Sequence, residues 1–438
     1  MTASAPPFDP RHSIQVEPDF YRLSEQQYGS QPMTPIGIAL VGPGLVGRLV
    51  LEQFASPALR PHFRVVSISN SRYTVFGDDE EGASQLSSSE EGHEQLLIRK
   101  LPASSAPSRD VTTKGVVELE PAMLIEELAE RARRSGSHII LVDCTASDTL
   151  PRVYQKALLA GLSVVTPNKV AAAGPAPLWR SIVEAQASEE AGLFYCEGAC
   201  GAGLPLLSTL TDLVRTGDEI VKIEAVLSGT LSYIFNQYSP VQDTRPGEPL
   251  QRFSDIVRTA HQDGHTEPHP AEDLSGRDVA RKLTILARFS STLSASSGNV
   301  GLFDLPNGSA SVRIQSLVPE ELSDPRSPEA FVESLAEYDD HFDRLRAEAR
   351  AAGKVLRYVG ILDRQQGTVE CGLRQFAPDH PFASLYGSHL SFTIYTKRYT
   401  NSPLVIQGPG YPVEVTASAV VADAIRVAER KAGHNVSL

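Results

Sequence analysis

The apolar positions of this 438-residue chain change their period along its length. Pro35-Ile-Gly-Ile-Ala-Leu-Val41 is a nearly continuous apolar run, the pattern of a parallel strand buried on both faces. Residues 48–54 (RLVLEQF) follow with helical periodicity. Residues 63–69, 138–143 and 162–166 predict further strands. Residues 121–134 and 151–160 predict helices, each opening on a proline at its first turn. This alternation up to about residue 190 predicts a doubly wound parallel sheet of the Rossmann type. Beyond it, strands over 219–227, 355–362 and 390–395 and helices over 253–261, 278–289 and 328–352 predict a second, α+β domain. A short run at 404–406 and a helix over 415–431 predict a return to the first domain.

Composition narrows the class. A hydrophobic content of 41% and a charged content of 21% are those of a globular protein. The net charge of −13 argues against nucleic acid and anionic membranes as partners. The four cysteines, Cys144, Cys196, Cys200 and Cys371, lack metal-ligand spacing and suit a reducing cytosol. No run is long enough to span a bilayer. The first 33 residues lack the apolar stretch of a signal peptide and read as a polar extension. Residues 77–95 (GDDEEGASQLSSSEEGHEQ) read as an acidic surface insertion.

The first apolar run leads into Gly42-Pro-Gly44-Leu-Val-Gly47, a G-x-G-x-x-G motif in strand–turn–helix context. Gly42 permits a tight turn, Gly44 lets backbone approach a pyrophosphate, and Gly47 lets helix pack close to strand. Leu45 and Val46, within the motif, join the expected cofactor set, and the free N–H groups of the helix that follows would meet the phosphates. At the end of the next strand, Asn70-Ser71-Arg72 stands where a ribose-binding acid is expected. Arg72 could meet a 2′-phosphate, which favours NADP while leaving NAD possible. Ligands of such sheets bind beyond the carboxyl ends of strands, which places Gly42, Asn70, Thr145 and Lys169 along one edge. Gly264 and Gly410 complete the expected cofactor set.

The densest chemistry lies between residues 264 and 288 (GHTEPHPAEDLSGRDVARKLTILAR). Asp278 and Lys282 are four apart with no helix breaker between them, so they share a helix face. Glu267 and Asp273 lie on the proline-rich approach. Acids for an amine and a lysine for an oxygen that gains or loses a proton would suit a small zwitterion. His261, His265 and His269 form an H-x3-H-x3-H series that could suggest zinc. Gly264, Pro268 and Pro270 break any helix that would align them, so they read as loop histidines.

These segments, together with DCTAS (143–147), TPNK (166–169), EGACGAGLP (197–205), LSGTLSYIFN (227–236), KVLR (354–357), PFASL (381–385) and TKRY (396–399), resemble the homoserine dehydrogenases of the short, fungal-like type. The resemblance implies NAD(P)H-dependent, reversible reduction of L-aspartate 4-semialdehyde to L-homoserine, toward threonine, methionine and isoleucine. It implies Lys282 as acid/base, Lys169 near nicotinamide and substrate, and Asp278 orienting Lys282 or holding substrate. Glu267 and Asp273 would bind the substrate's amine, and Thr145 the nicotinamide end. A monovalent cation, sodium, would be held by the Glu197 carboxylate and the carbonyls of Cys200, Ala202 and Leu204. A homodimer in the cytoplasm is implied as well. The corresponding division is a polar extension (1–33), a dinucleotide-binding domain (34–190), a catalytic and dimerisation domain (191–402) and a returning C-terminal segment (403–438). One departure stands out: Tyr411-Pro412 replaces a small Ala-Gly pair in the late glycine-rich loop. Two alternatives stand beside this reading: a paralogue reducing another small amino-acid aldehyde, and a cofactor-binding regulatory pseudoenzyme, which this departure and the acidic insertion motivate.

Overall fold

The computed structural model describes residues 34–77, 93–105, 115–241, 250–291, 303, 305–322 and 327–431. The expected polar extension and residues 78–92 of the acidic tract lie outside the described residues. The tract's last three residues open the helix His93–Lys100.

The first sheet takes its order from its apolar runs. It comprises β1 (Ile36–Val41), β2 (Phe63–Ser69), β3 (Tyr73–Phe76), β4 (Val116–Glu118), β5 (Ile139–Asp143), β6 (Ser163–Val165) and β7 (Phe194–Tyr195), ordered β4-β3-β2-β1-β5-β6-β7. All six residues of β1 are buried, because parallel neighbours β2 and β5 flank it and helices cover both faces. Burying each Ile, Leu or Val side chain contributes roughly 1.5–3 kcal/mol. The parallel run β2-β1-β5-β6-β7 bears out the Rossmann reading. The sequence pattern left out β3 and β4, which extend that edge as antiparallel strands.

The helix Leu45–Phe54 starts three residues earlier than its periodicity suggests, so Gly47 lies in its first turn. It packs Val50, Leu51 and Phe54 into a core shared with Ala417, Val420, Val421 and Ala424 of the helix Val413–Lys431. That C-terminal helix therefore rests on the glycine-motif helix.

The second sheet holds β8 (Ile220–Val226), β9 (Arg313–Ile314), β10 (Val355–Asp363), β11 (Thr368–Phe376), β12 (His389–Thr396) and β13 (Leu404–Pro409), ordered β13-β12-β8-β10-β11-β9. It is mixed, as expected: β9 pairs parallel to β11 and the other neighbours are antiparallel. The expected strand at 404–406 is the edge β13 of this sheet, so strand and helix of the C-terminal segment serve different layers. The helices Gly229–Tyr238 and Arg277–Phe289 pack on one face through Leu231, Ile234, Leu283 and Leu286. The single helix expected over 328–352 is interrupted at Ala336–Tyr338. The next helix begins at Asp339, whose buried carboxylate accepts from the backbone N–H and hydroxyl of Ser254 at 2.9 and 2.7 Å. It thereby caps the helix Phe253–Gln262.

Candidate active site

The candidate site forms where the carboxyl ends of β1, β5 and β6 face the helix Arg277–Phe289. Gly42 takes φ +90°, and a Cβ there would lie 2.7 Å from Thr145 Cγ2, so the β1 and β5 loops touch. A Cβ on Gly47 would lie 2.2 Å from the Gly42 carbonyl oxygen, while one on Gly44 would meet nothing within 4 Å. Gly47 thus serves the fold, and Gly44 borders open space, the arrangement a pyrophosphate cradle requires. Leu45 stands 70% exposed beside that space and Val46 is half-buried. The contrast is testable. Gly47→Ala should unfold the apo protein several degrees earlier, whereas Gly44→Ala should keep its Tm and lose NADPH affinity about tenfold or more. Differential scanning fluorimetry with and without NADPH separates the two; equal apo Tm losses would contradict the assignment.

Thr145 is tied to the second strand loop through Asp143. One Asp143 oxygen accepts the Thr145 N–H at 2.8 Å. The other accepts the Tyr154 hydroxyl and the Asn168 amide, the latter at 3.2 Å. Asn168 also donates to the Ser147 carbonyl at 2.8 Å. Burial pushes the Asp143 carboxyl up, and the hydrogen bonds from Thr145, Tyr154 and Asn168 oppose that push. This network holds the Thr145 loop and the Pro167-Asn168-Lys169 loop as one rigid edge. Sequence reading quoted Asp143 and Asn168 within motifs but gave them no task. The only available signal was a buried-strand acid at a strand end.

Lys169 then reaches across to the second half of the molecule. Its ammonium lies 3.3 Å from Asp278 Oδ1, and Lys282 Nζ lies 2.9 Å from Asp278 Oδ2. Lys282 also donates to the Leu227 carbonyl at 2.8 Å, at the end of β8. Two of its three donors are taken, and its side chain is 15% exposed. Asp278 sits in the first turn of its helix, after Gly276 at φ +72°, where a carboxylate complements the helix dipole. Burial alone would push the Asp278 carboxyl up, but the two ammonium groups overrule it and hold it well below the usual range. Burial alone would depress Lys282, but Asp278 overrules that too and raises it, so Lys282 keeps its proton at neutral pH.

The approach segment brings the remaining acids to this cluster. Asp273 accepts the Glu267 N–H at 2.8 Å, in the helix Pro270–Leu274. Burial raises its pKa to about 6, against the hydrogen bonds from Glu267 and Thr230, with Glu267 and Asp278 adding repulsion. Glu267 is exposed. Gly264 ends the preceding helix at φ +75° with open space beside it. The structure therefore brings Lys169 from a distant segment to the one that carries Glu267, Asp273, Asp278 and Lys282. The three histidines diverge: His261 meets the Thr266 hydroxyl, His265 stacks on Tyr233, and His269 caps Ala271 N–H. Among the described residues no group of His, Cys, Asp or Glu is arranged to hold a metal.

Other expected residues lie apart. The Asn70 side chain accepts from the Arg72 and Tyr73 N–H groups and donates to the Pro102 carbonyl, so it is committed to the turn. Arg72 is 3.6 Å from Glu118. Gly410 packs against Ser388 and Leu390, and Tyr411, joined to Pro412 by a cis peptide bond, is 62% exposed. The Glu197 carboxylate accepts the N–H groups of Leu206, Leu207 and Ser208 at 2.7, 2.6 and 2.9 Å, and Arg426 at 3.3 Å. It caps the helix Leu207–Arg215. Cys200 is buried with its thiol pushed up to about 12 by burial, so it is no nucleophile. Ala202 takes φ +56°, and a Cβ on Gly203 would lie 2.5 Å from the Val415 carbonyl, so this loop packs on the C-terminal helix. Gly408 packs against Leu204. A cavity of about 640 Å³ lies behind that loop, lined by Trp179, Phe194, Asp423 and Arg430. Of the expected site residues it holds only Glu197, and none of the acid/lysine cluster lines it.

Comparison with known proteins identifies a family. A homoserine dehydrogenase family model matches residues 205–425, and the NAD-binding domain model of the same family matches 42–196. The chain is 37% identical over 407 residues to bifunctional aspartokinase/homoserine dehydrogenase 1, chloroplastic, of Arabidopsis thaliana, covering 90% of itself but 39% of that protein. It thus spans about two fifths of the bifunctional relatives. It is 38% identical over 405 residues to the homoserine dehydrogenase of Emericella nidulans, covering 90% of itself and 99% of the relative. A crystal structure of a Candida auris protein of unknown function superposes with a TM-score of 0.73 at 36% identity, covering 90% of this chain and 99% of that one. A hyperthermophilic archaeal homoserine dehydrogenase in complex with NADPH shares the fold with a TM-score of 0.59 at 21% identity, covering 90% and 98%.

Proposed function

The chain belongs to the homoserine dehydrogenase family, and from that premise we propose that it reduces L-aspartate 4-semialdehyde to L-homoserine, reversibly, with a nicotinamide cofactor. The observation that carries the proposal is the Lys169–Asp278–Lys282 triad, with ion pairs of 3.3 and 2.9 Å at the mouth of the glycine-motif edge. The motif loop Gly42–Gly47 fits a dinucleotide, since Gly44 leaves the room that its phosphates need. When bound, the nicotinamide supplies a hydride for the aldehyde carbon. Lys282, protonated at neutral pH, donates to the aldehyde oxygen as negative charge builds there and gives it the proton of the product alcohol. Asp278 keeps Lys282 aimed and charged. Lys169, paired to the same carboxylate, would add a second positive charge toward that oxygen. Asp273 and Glu267 receive the substrate's ammonium.

NADPH oxidation and homoserine-dependent NADP⁺ reduction, followed by absorbance, test the proposal. Turnover in both directions is expected, and its absence with purified, folded chain would overturn it.

Asp273 makes the substrate's binding depend on pH. Its carboxyl, ordinarily near 3.8, titrates at about 6 in the fold. Charging it there costs some stability, which is recovered as pH falls. Binding has the opposite sign, because the ammonium needs the ionised form. KM for the aldehyde should therefore rise about tenfold per unit below pH 6, with KM for NADPH level. Asp273→Asn should remove the dependence; a KM that still rises would move the role elsewhere.

Preference for NADP is supported by Arg72 at the end of β2, where the ribose acid is missing. Arg72→Ala should weaken NADPH about tenfold more than NADH; equal losses would sink the 2′-phosphate assignment. The sodium of the resemblance fits less well. Four donors occupy the Glu197 carboxylate, which has room for about four, so it offers a cation no free lone pair. The homodimer and the cytoplasmic location belong to the same proposal. Among the described residues no helix is long and apolar enough to cross a membrane, and a light-scattering mass of twice 47.3 kDa is expected.

A further inference from the structure

The helix Arg277–Phe289 carries the reacting pair at its start and, ten residues after Asp278, a buried guanidinium at its end. Arg288 is 3% exposed and donates to the carbonyls of Ala172 at 2.8 Å and Gly174 at 2.6 Å. Those carbonyls close the short helix Val170–Ala173, whose N-cap is Lys169. The guanidinium also lies 5.6 Å from the Trp179 ring centroid. Burial lowers it only to about 10, so it stays charged at neutral pH, and among the described residues it meets no carboxylate. A cation suits the negative end of a helix. Two elements from different halves of the chain are therefore clamped at both ends. One clamp is Lys169–Asp278. The other is Arg288 on Ala172 and Gly174, roughly 15 Å further along the longer helix. Gly308 abuts the same turn: a Cβ there would lie 2.1 Å from the Gly174 oxygen.

We propose that Arg288 is a positioning residue that sets Lys169 against Asp278 and Lys282 by holding the far end of the Lys169 helix. The proposal rests on the catalytic reading given above for Lys169. It makes Arg288 act through backbone carbonyls, not through substrate or cofactor. A lysine in its place keeps the charge but has no planar fork to bridge two carbonyls. The Lys169 helix would then shift, and a displacement of about 1 Å at a reacting group can cost up to about 10²-fold.

The test uses the full chain with Arg288→Lys, Lys169→Ala and the double variant. Gly308→Ala serves as an independent way of pressing on the same turn. Arg288→Lys should lower kcat about tenfold or more, with KM for NADPH within about twofold. The double variant should be no slower than Lys169→Ala alone, because both act through one group. Hydrogen exchange of the apo chain gives a readout that needs no turnover. Amides of residues 170–176 should exchange faster in Arg288→Lys, with the helix Arg277–Phe289 unchanged. Gly308→Ala should reproduce both effects. An unchanged kcat, multiplied losses in the double variant, or unchanged exchange at 170–176 would overturn the proposal. A wild-type chain inert toward the aldehyde would overturn the proposed function instead, and the exchange experiment would still decide the clamp.

Discussion

Lys282→Ala should lower kcat for aldehyde reduction about 10³-fold and leave NADPH affinity within about twofold. The size of the effect follows from two tasks in one ammonium. It stabilises negative charge as it forms on oxygen, and it supplies the proton that ends the reaction. Both act only as the reaction proceeds, so the loss belongs in kcat more than in KM. The glycine-motif loop that would hold the cofactor makes no contact through Lys282, whose bonds go to Asp278 and the Leu227 carbonyl. The pH dependence has a definite sign. Asp278 raises the lysine's pKa, so the proton donor persists through neutral pH and is lost only in strong alkali. Reduction should therefore hold level across neutral pH. Homoserine oxidation, which needs the lysine free of its proton, should accelerate as pH rises. Lys282→Arg keeps the charge with a group that does not release its proton, so it should recover part of the reduction rate and almost none of the oxidation rate. A kcat for Lys282→Ala within tenfold of wild type would remove Lys282 from the acid/base role.

The parts of this site differ in how plainly they can be read from sequence. An i,i+4 pair such as Asp278 and Lys282 is local, and helical spacing alone places both on one face. The glycine motif is equally local, because strand, turn and helix follow one another without a gap. Lys169 is different: it meets Asp278 across 109 residues of chain, which no spacing rule encodes. The strand-end rule puts it at the carboxyl edge of the first sheet, but its partner emerges only from the packing of the helix Arg277–Phe289 on the helix Val170–Ala173. Short antiparallel strands such as Tyr73–Phe76 carry too few residues to show a period of two. Buried acids are harder still. Glu197 in a glycine-rich loop reads as a ligand donor, and in the structure its lone pairs meet three backbone N–H groups at a helix start. A carboxylate's type is visible in sequence; its partners are not.

Arg357→Met should destabilise the protein by about 4 kcal/mol or more, although Arg357 bonds to none of the acid/lysine cluster. The guanidinium is 1% exposed and meets five backbone carbonyls. Nε donates to Phe382 at 2.9 Å and Nη2 to Ala383 at 3.0 Å. Nη1 lies within reach of Ser239 at 2.8 Å, Leu356 at 2.7 Å and Phe235 at 3.2 Å. Two of these, Phe235 and Ser239, end the helix Gly229–Tyr238, where a cation complements the dipole. Methionine fills much of the same volume but leaves these acceptors buried without their donor, each at about 1–3 kcal/mol where no other donor is at hand. Lysine would do little better, since one ammonium cannot span a fork shared between a helix end and the 382–383 loop. A Tm loss of about 4–5 °C is expected, measured by calorimetry without ligand, and a loss under about 1 °C would mean that water or relaxed backbone satisfies these carbonyls. The helix that Arg357 closes begins just after Leu227, whose carbonyl holds Lys282. Folded Arg357→Met molecules should consequently lose more in stability than in kcat.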